Sequence, residues 1–196
     1  MFSGSITALV TPFKDDNSID ETSLIKHINW QIEQGTNGFV PVGTTGESPT
    51  LSHAEHKKVV EICIDAVSNR VPIIAGAGSN NTDEAIDFIQ HASSVGANAA
   101  LVVTPYYNKP TQEGLYQHYK AISSVSPIPI ILYNVPSRTS VNLSAETTLR
   151  LANDFSNIVA IKEASGDLDQ IKNILQNKSS NFYVLSGDDG LTYEMI

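Results

Sequence analysis

Short apolar runs alternate along this chain with amphipathic stretches in which apolar residues recur every three or four positions. A continuous apolar run predicts a strand buried on both faces, and the longer spacing predicts a helix with one buried side. Repeated strand–helix units indicate parallel strands joined by right-handed crossovers. The predicted strands cover residues 5–10, 38–42, 72–75, 99–104, 128–133, 158–162 and 182–185, and the predicted helices cover residues 21–34, 52–67, 82–94, 112–123, 145–153 and 168–176.

Several predicted helices carry signals for where they begin and end. Ser52 is followed three residues later by Glu55, which is the pattern of a capping box at a helix N-terminus. Gly35 and Gly96 come directly after helical patterns, where a left-handed cap favours glycine. Low-complexity linkers do not interrupt the series, so we expect residues 1–196 to belong to one domain.

Two architectures fit alternating strands and helices: a doubly wound open sheet and a (β/α)8 barrel. The glycine fingerprint of a dinucleotide-binding sheet is missing after the first strand, where Thr-Pro-Phe-Lys stands at 11–14. Polar residues gather instead at the C-terminal ends of the predicted strands, the face on which barrel enzymes build their active sites. We therefore predict a (β/α)8 TIM barrel, with the polar groups at residues 43–47, 104–107, 133–136, 162–163 and 186–188.

The count of predicted strands is one short of a barrel. The sequence gives seven strands and then the start of a seventh helix at residues 191–196, whereas barrels of this type usually need about 250 residues. An open array of seven strands would leave two unpaired edges. We therefore expect residues 1–196 to form a TIM-barrel catalytic domain that lacks its eighth strand–helix unit.

Charge and composition exclude several classes of partner. The net charge is −9 and the pI about 4.9, which argues against nucleic acid and anionic membrane surfaces as partners. The single cysteine, Cys63, lies inside a helical pattern and is interpreted as a small buried hydrophobe. The N-terminus lacks a basic signal-peptide region and no apolar run is long enough to span a membrane, so we expect a cytoplasmic protein.

Lys162 stands at the end of a run that otherwise predicts a buried strand. Burial disfavours the ammonium, and the neutral amine that results is a nucleophile toward carbonyl carbon. The alternative is that Lys162 reaches water at the strand end or pairs with a carboxylate such as Glu163. From this segment alone the two interpretations are balanced.

Other strand ends carry groups that could bind or transfer protons. The Gly-Thr-Thr-Gly-Glu run at 43–47 suits a tight turn or the binding of a small carboxylate. Tyrosines at 106, 107 and 133 either pack with their hydroxyls at the rim or relay protons. Arg138, one of three arginines, either lies in a surface loop or binds a substrate carboxylate. For His53 and His56, three apart on one helix, we favour a solvated helix face over a metal site.

Five segments together resemble the 4-hydroxy-tetrahydrodipicolinate synthase family, a class I aldolase-like group of (β/α)8 barrels. Each motif is weak alone, but their order and spacing match from Met1 to about Tyr193. The matching segments are Gly-Thr-Thr-Gly-Glu at 43–47, Val-Thr-Pro-Tyr-Tyr-Asn at 103–108, Tyr-Asn-Val-Pro-Ser-Arg-Thr at 133–139, Ile-Lys-Glu-Ala at 161–164 and Leu-Ser-Gly-Asp-Asp at 185–189.

The resemblance implies a lyase that condenses pyruvate with L-aspartate 4-semialdehyde on the route to L-lysine, with no metal or organic cofactor. Lys162 would form the Schiff base with pyruvate. Tyr133 would transfer protons, linked through Thr44 to Tyr107, which in this family reaches into a neighbouring subunit. The remaining substrate contacts are implied at three positions: Thr45 for the pyruvate carboxylate, Arg138 for the semialdehyde carboxylate and Gly187 through its backbone.

The resemblance also implies regulation and assembly. The family has an inhibitory L-lysine site at its tight dimer interface, and full-length members continue with an eighth strand and a helical C-terminal domain and form dimers of dimers. The positions that match the inhibitor site are Ser48, Pro49, His53, His56, Asn80, Glu84 and Tyr106. We therefore expect a homo-oligomer that L-lysine inhibits.

Three other interpretations stay open. An N-acetylneuraminate lyase-like enzyme or a keto-deoxy sugar acid aldolase would share Lys162, Tyr133 and the glycine-rich turn, although Arg138 favours the dipicolinate enzyme. A non-catalytic fragment that binds ligand or subunits without turnover is a second possibility. A purely structural barrel leaves the polar strand ends unexplained.

Overall fold

The computed structural model describes residues 2–195, in which strands and helices alternate as the sequence predicts. The seven predicted strands and six predicted helices are confirmed, and each strand is shifted or shortened at an end by a few residues at most. The strands are β1 (Ile6–Ala8), β2 (Gly38–Val40), β3 (Ile74–Gly76), β4 (Ala99–Val103), β5 (Ile130–Asn134), β6 (Ile158–Glu163) and β7 (Tyr183–Ser186). The helices are α1 (Glu21–Glu33), α2 (His53–Val67), α3 (Thr82–Ser94), α4 (Gln112–Val125), α5 (Pro136–Thr139), α6 (Ala145–Asp154), α7 (Leu168–Asn177) and α8 (Thr192–Met195).

The helix ends follow the signals in the sequence. The capping box at the start of α2 is formed, with the Ser52 amide donating to the Glu55 carboxylate at 2.8 Å and the Glu55 amide donating back to the Ser52 hydroxyl at 3.3 Å. Gly35 and Gly96 adopt φ values of +91° and +98°, a region that other residues enter only with strain. Helix α5 was not predicted, because a four-residue helix is too short to show a helical period.

Contacts divide the chain into two compact units. The first contains the residues through Ala77 together with Phe88–Leu101. In it β1 pairs in parallel with β2, a bridge joins Phe39 to Ile73 at the start of the next segment, and β3 pairs in parallel with β4. Helices α1 and α2 bury their apolar sides, and Cys63 is fully buried, as predicted. Burial raises the pKa of the Cys63 thiol to about 12, so it stays protonated.

The second unit contains Gly78–Asp87 together with the residues from Val102 onward. Here β5, β6 and β7 pair in parallel, and the register sets Tyr133 opposite Lys162 and Lys162 opposite Leu185. Every residue of β5 is buried, and so is every residue of β6 except Lys162. Parallel strands covered on both faces are expected to be apolar throughout, so Lys162 breaks the pattern within a well-packed sheet.

Candidate active site

The register of β5 and β6 brings Lys162 and Tyr133 together. The two residues are paired across the strands, so their side chains project from the same face of the sheet. The Lys162 Nζ lies 4.6 Å from the centroid of the Tyr133 ring, within the range of a cation–π contact. Tyr133 is buried and Lys162 is half-buried, which places an amine and a phenol beside each other at the end of two strands.

Burial shifts the protonation equilibrium of Lys162 toward its neutral form. Burial lowers the pKa of the Lys162 ammonium below its usual value, and the negative charge of Asp189 partly opposes this effect. The predicted alternative of an ion pair between Lys162 and Glu163 is wrong. Neighbouring residues of a strand point to opposite faces, and the Glu163 carboxylate instead accepts hydrogen bonds from the side chains of Asn134 and Gln170. The amine is therefore suited to attack a carbonyl carbon.

Gly187 lies directly against the lysine side chain. It follows β7, and its amide donates a hydrogen bond of 2.8 Å to the Glu163 carbonyl. A Cβ atom at this position would stand 2.9 Å from Lys162 Cε and 3.0 Å from Ala164 Cβ, closer than carbon atoms pack. A larger residue here would force the lysine side chain to move, and the backbone at this point is part of the wall around the amine.

Tyr107 occupies an exposed, unusual position in the loop after β4. Its side chain is 89 % exposed and its φ is +71°, a left-handed value that is uncommon outside glycine. Its hydroxyl makes no hydrogen bond to any residue in the part of the chain that the structure describes. The start of the same loop is fixed to β5 by a 3.0 Å hydrogen bond from the Thr104 amide to the Tyr133 carbonyl. The loop thus leaves the Tyr107 side chain exposed, while its own start is held at the end of β5.

Arg138 is exposed on the short helix α5, which follows β5 directly. The buried Thr139 hydroxyl holds the helix to the flanking chain, because it lies within hydrogen-bond distance of the carbonyls of Val135 and Val141, at 3.2 and 2.9 Å. The Arg138 guanidinium forms no ion pair with the described residues. A fixed backbone with an uncommitted guanidinium fits the predicted role of binding a carboxylate.

The turn that carries Thr44 and Thr45 belongs to the first unit and follows β2. Thr44 is half-buried and Thr45 is exposed. Gly46 is needed for packing, because a Cβ there would lie 2.9 Å from the Leu9 carbonyl oxygen. The Gly46 carbonyl also accepts a 2.7 Å hydrogen bond from the Thr11 hydroxyl. These contacts hold the turn firmly at the end of its strand.

The predicted inhibitor positions fall in both units and are described separately. In the first unit, Ser48 and Pro49 form a short 3-10 turn, and His53 and His56 both contact the Phe88 ring. His56 stacks on that ring at 4.0 Å and is 3 % exposed, so the interpretation of this residue as part of a solvated helix face is wrong. The spacing could not show this, because the covering ring comes from a distant part of the chain.

In the second unit, Glu84 accepts a hydrogen bond from the Ser79 hydroxyl, and the Asn80 carbonyl accepts one of 3.1 Å from the side chain of Asn108. Tyr106 is half-buried.

Across residues 2–195, the side chains of His, Cys, Asp and Glu form no group of three or more that could hold a metal ion. Within the same range, no helix is long and apolar enough to cross a membrane.

One buried polar cluster was missed by the sequence reasoning. Asn134 and Glu163 are both fully buried, are paired in register, and directly follow Tyr133 and Lys162. Their position was visible in the sequence as a polar residue at the last place of each apolar run. That signal is weak, because polar residues at strand ends usually reach solvent.

Comparisons with known proteins agree over the whole chain. The sequence model described as the Dihydrodipicolinate synthetase family matches residues 1–196. The 4-hydroxy-tetrahydrodipicolinate synthase of Agrobacterium fabrum is 55 % identical over 190 residues, which are 97 % of this chain and 65 % of that protein. This chain therefore spans just under two thirds of the length of such curated relatives.

Solved structures give the same result. The chloride-inhibited dihydrodipicolinate synthase from Acinetobacter baumannii, complexed with pyruvate, has a TM-score of 0.95 at 53 % identity, covering 98 % of this chain and 66 % of that one. The enzyme from Cyanidioschyzon merolae with lysine bound has a TM-score of 0.94 at 42 % identity, covering 97 % and 65 %. The fold class is thus the predicted (β/α)8 barrel, of which this chain supplies seven strands. Because the family model matches residues 1–196, the chain belongs to the dihydrodipicolinate synthetase family.

Proposed function

We propose that this chain carries the Schiff-base site of a 4-hydroxy-tetrahydrodipicolinate synthase, which condenses pyruvate with L-aspartate 4-semialdehyde. The observation that carries the proposal is the half-buried Lys162 amine held against the Tyr133 ring at the end of two paired strands. The relatives that carry the synthase name, and the pyruvate complex of the Acinetobacter baumannii enzyme, support the choice of reaction over a sugar-acid aldolase. In this proposal residues 1–196 form the catalytic part of the barrel.

The proposed chemistry begins at the Lys162 amine. The neutral amine attacks the ketone carbon of pyruvate, and loss of water gives an iminium that withdraws electrons from the neighbouring methyl group. Loss of a methyl proton then gives an enamine, whose carbon adds to the aldehyde carbon of the semialdehyde. The amino group of the adduct finally attacks the imine carbon, which closes the ring and releases the Lys162 amine. Tyr133 donates and accepts the protons that these steps require.

The other predicted residues have supporting roles in this proposal. Thr44 links the Tyr133 phenol to the Tyr107 phenol in a hydroxyl relay, and Thr45 holds the pyruvate carboxylate through its amide and hydroxyl. The exposed Arg138 guanidinium binds the carboxylate of the semialdehyde. Gly187 contributes backbone contact beside the bound pyruvate, which agrees with its position against the lysine side chain.

Assembly and inhibition belong to the same proposal. The exposure of Tyr107 at 89 % suits a side chain that completes the site of a second copy, so we expect a homo-oligomer built from dimers. The lysine-bound Cyanidioschyzon merolae enzyme supports inhibition by L-lysine. The inhibitor would contact Ser48, Pro49, His53, His56, Asn80, Glu84 and Tyr106. The free thiol of Cys63 fits the reducing cytoplasm expected from the composition.

Trapping with pyruvate and borohydride tests the proposal directly. Reduction of the iminium should leave a stable pyruvyl group, and peptide mapping should locate it on Lys162. A Lys162→Met variant should give no adduct, whereas Lys172→Met, which alters an exposed lysine on α7, should be labelled like the unaltered chain. A folded chain that yields no adduct, or an adduct on another lysine, would contradict the proposal and favour a non-catalytic chain.

A further inference from the structure

A buried carboxylate stands directly behind the pair of Lys162 and Tyr133. Glu163 is fully buried at the last position of β6, and its register partner on β5 is Asn134, which is also fully buried. Because side chains alternate along a strand, the Asn134–Glu163 pair occupies the face of the sheet opposite to the Tyr133–Lys162 pair. The two pairs are therefore connected through the same two peptide units.

The Glu163 carboxylate is held entirely by neutral donors within residues 2–195. The Asn134 side-chain amide donates to its two oxygens at 3.1 and 3.3 Å. The Ser165 amide donates at 2.8 Å and the Gln170 side chain at 3.2 Å. A carboxylate out of water without an opposite charge is unfavourable, so the geometry of these donors must be well maintained.

Asn134 extends the cluster to the segment that follows α5. Its side-chain oxygen accepts a 2.9 Å hydrogen bond from the Leu143 amide, and its side-chain nitrogen lies 2.8 Å from the Asn142 oxygen. Gln170 on α7 reaches the same segment, at 3.2 Å from the Leu143 carbonyl. The cluster therefore ties the ends of β5 and β6 to α7 and to the chain that leads into α6.

We propose that Glu163 is a positioning residue, whose hydrogen bonds to Asn134 and Gln170 fix the ends of β5 and β6 so that the Tyr133 ring stays against the Lys162 amine. The two strand ends carry the reacting groups on one face and the hydrogen-bonded cluster on the other, so movement of one face moves the other. Among the described residues, the Tyr133 ring from β5 lies against the Lys162 amine and the Asp189 carboxylate after β7 acts on it electrostatically. The importance of this positioning for catalysis rests on the proposed Schiff-base function.

The test is the pH profile for acylation of the Lys162 amine, measured by competitive labelling with acetic anhydride and peptide mapping. This labelling measures the fraction of Lys162 that is a neutral amine, and it requires no pyruvate. Glu163→Gln keeps the shape but sets an amide nitrogen against the Asn134 or Gln170 donors. Loosening the strand ends admits water to the amine, so the profile should move to higher pH by about half a unit or more, a loss of about threefold in neutral amine near neutral pH.

Matched variants separate positioning from charge and from general loss of stability. In the double variant Asn134→Asp/Glu163→Gln, donor and acceptor exchange places, so the contact between the strands is restored and the profile should return toward that of the unaltered chain. Glu146→Gln changes an exposed carboxylate on α6 and should leave the profile unchanged. Gln170→Met removes one hydrogen-bond donor to Glu163 and should also shift the acylation profile to higher pH. If Glu163→Gln does not fold, this variant tests the positioning role in its place.

Two results would overturn the inference. A folded variant at Glu163 or Gln170 with an unchanged profile would show that the cluster does not position the amine. A shift of the acylation profile of Glu163→Gln to lower pH would show that the variant acts on the Lys162 amine only through the loss of a nearby negative charge. If the unaltered chain is acylated as expected but is not trapped by pyruvate, the proposed function fails while the positioning role stands.

Discussion

Replacing Gly187 by alanine probes the Lys162 site with a single methyl group. The backbone of Gly187 does not lie in the left-handed region, so alanine introduces no backbone strain and the effect is steric. The new Cβ would lie 2.9 Å from Lys162 Cε, 3.1 Å from Lys162 Cγ and 3.0 Å from Ala164 Cβ. The lysine side chain is the mobile partner in this contact, so we expect it to be displaced.

The size of the effect follows from the distances. Carbon atoms pack best at about 3.5–4.0 Å, so the contact must open by about 0.6 Å or more. Overpacking of this kind typically costs about 1–3 kcal/mol of stability. A displacement approaching about 1 Å at a reacting atom can cost about a hundredfold in rate. We therefore expect Gly187→Ala to slow borohydride trapping of pyruvate by about tenfold to a hundredfold.

The assay is the rate of adduct formation at saturating pyruvate, read by intact mass, together with urea unfolding. Gly190→Ala is the matched control, because the nearest atom to its added Cβ is the Asp188 Oδ1 at 3.4 Å, an ordinary contact. That variant should trap pyruvate at the rate of the unaltered chain. A folded Gly187→Ala variant with an unchanged trapping rate would refute the inferred effect of Gly187 on the Lys162 side chain.

Three further predictions follow. Burial lowers the pKa of Lys162, so the unfolded chain binds more protons than the folded chain between the folded and unfolded pKa values. Lys162→Met should therefore raise the free energy of unfolding, and by more near pH 7 than near pH 10, about where free lysine titrates. Equal gains at both pH values in urea titrations would contradict this. Burial lowers the pKa of His118 from 6.5 to about 4, so the free energy of unfolding should fall as the pH drops through that range. His118→Leu should make the unfolding temperature less dependent on pH over this range, although the variant loses the 2.9 Å hydrogen bond to Thr82. On the proposed function, Arg138→Ala should leave pyruvate trapping intact and raise the KM for L-aspartate 4-semialdehyde at least tenfold, with Arg138→Lys between the two. Loss of trapping in the Arg138→Ala variant would contradict this assignment and indicate that Arg138 binds pyruvate.

Local signals in the sequence were sufficient for the succession of strands and helices. Apolar runs gave the seven strands, and the capping box at Ser52 and the glycines at 35 and 96 fixed helix ends through backbone requirements that only neighbouring residues set. Lys162 could be recognised as unusual for the same reason, since a lysine inside a buried run conflicts with its surroundings whatever the tertiary contacts are.

Contacts between distant segments were decided only by the tertiary structure. The sequence left open whether Lys162 is a reactive amine, reaches water or pairs with Glu163. The pairing of β5 with β6 excluded the pair with Glu163 by placing Tyr133 on one face and Asn134 on the other. The burial of His56 under Phe88 likewise depends on a residue far along the chain. A local sequence pattern determines on which face of a strand or helix a side chain lies. The residues that it contacts there depend on strand register and packing, which a short segment of sequence does not determine.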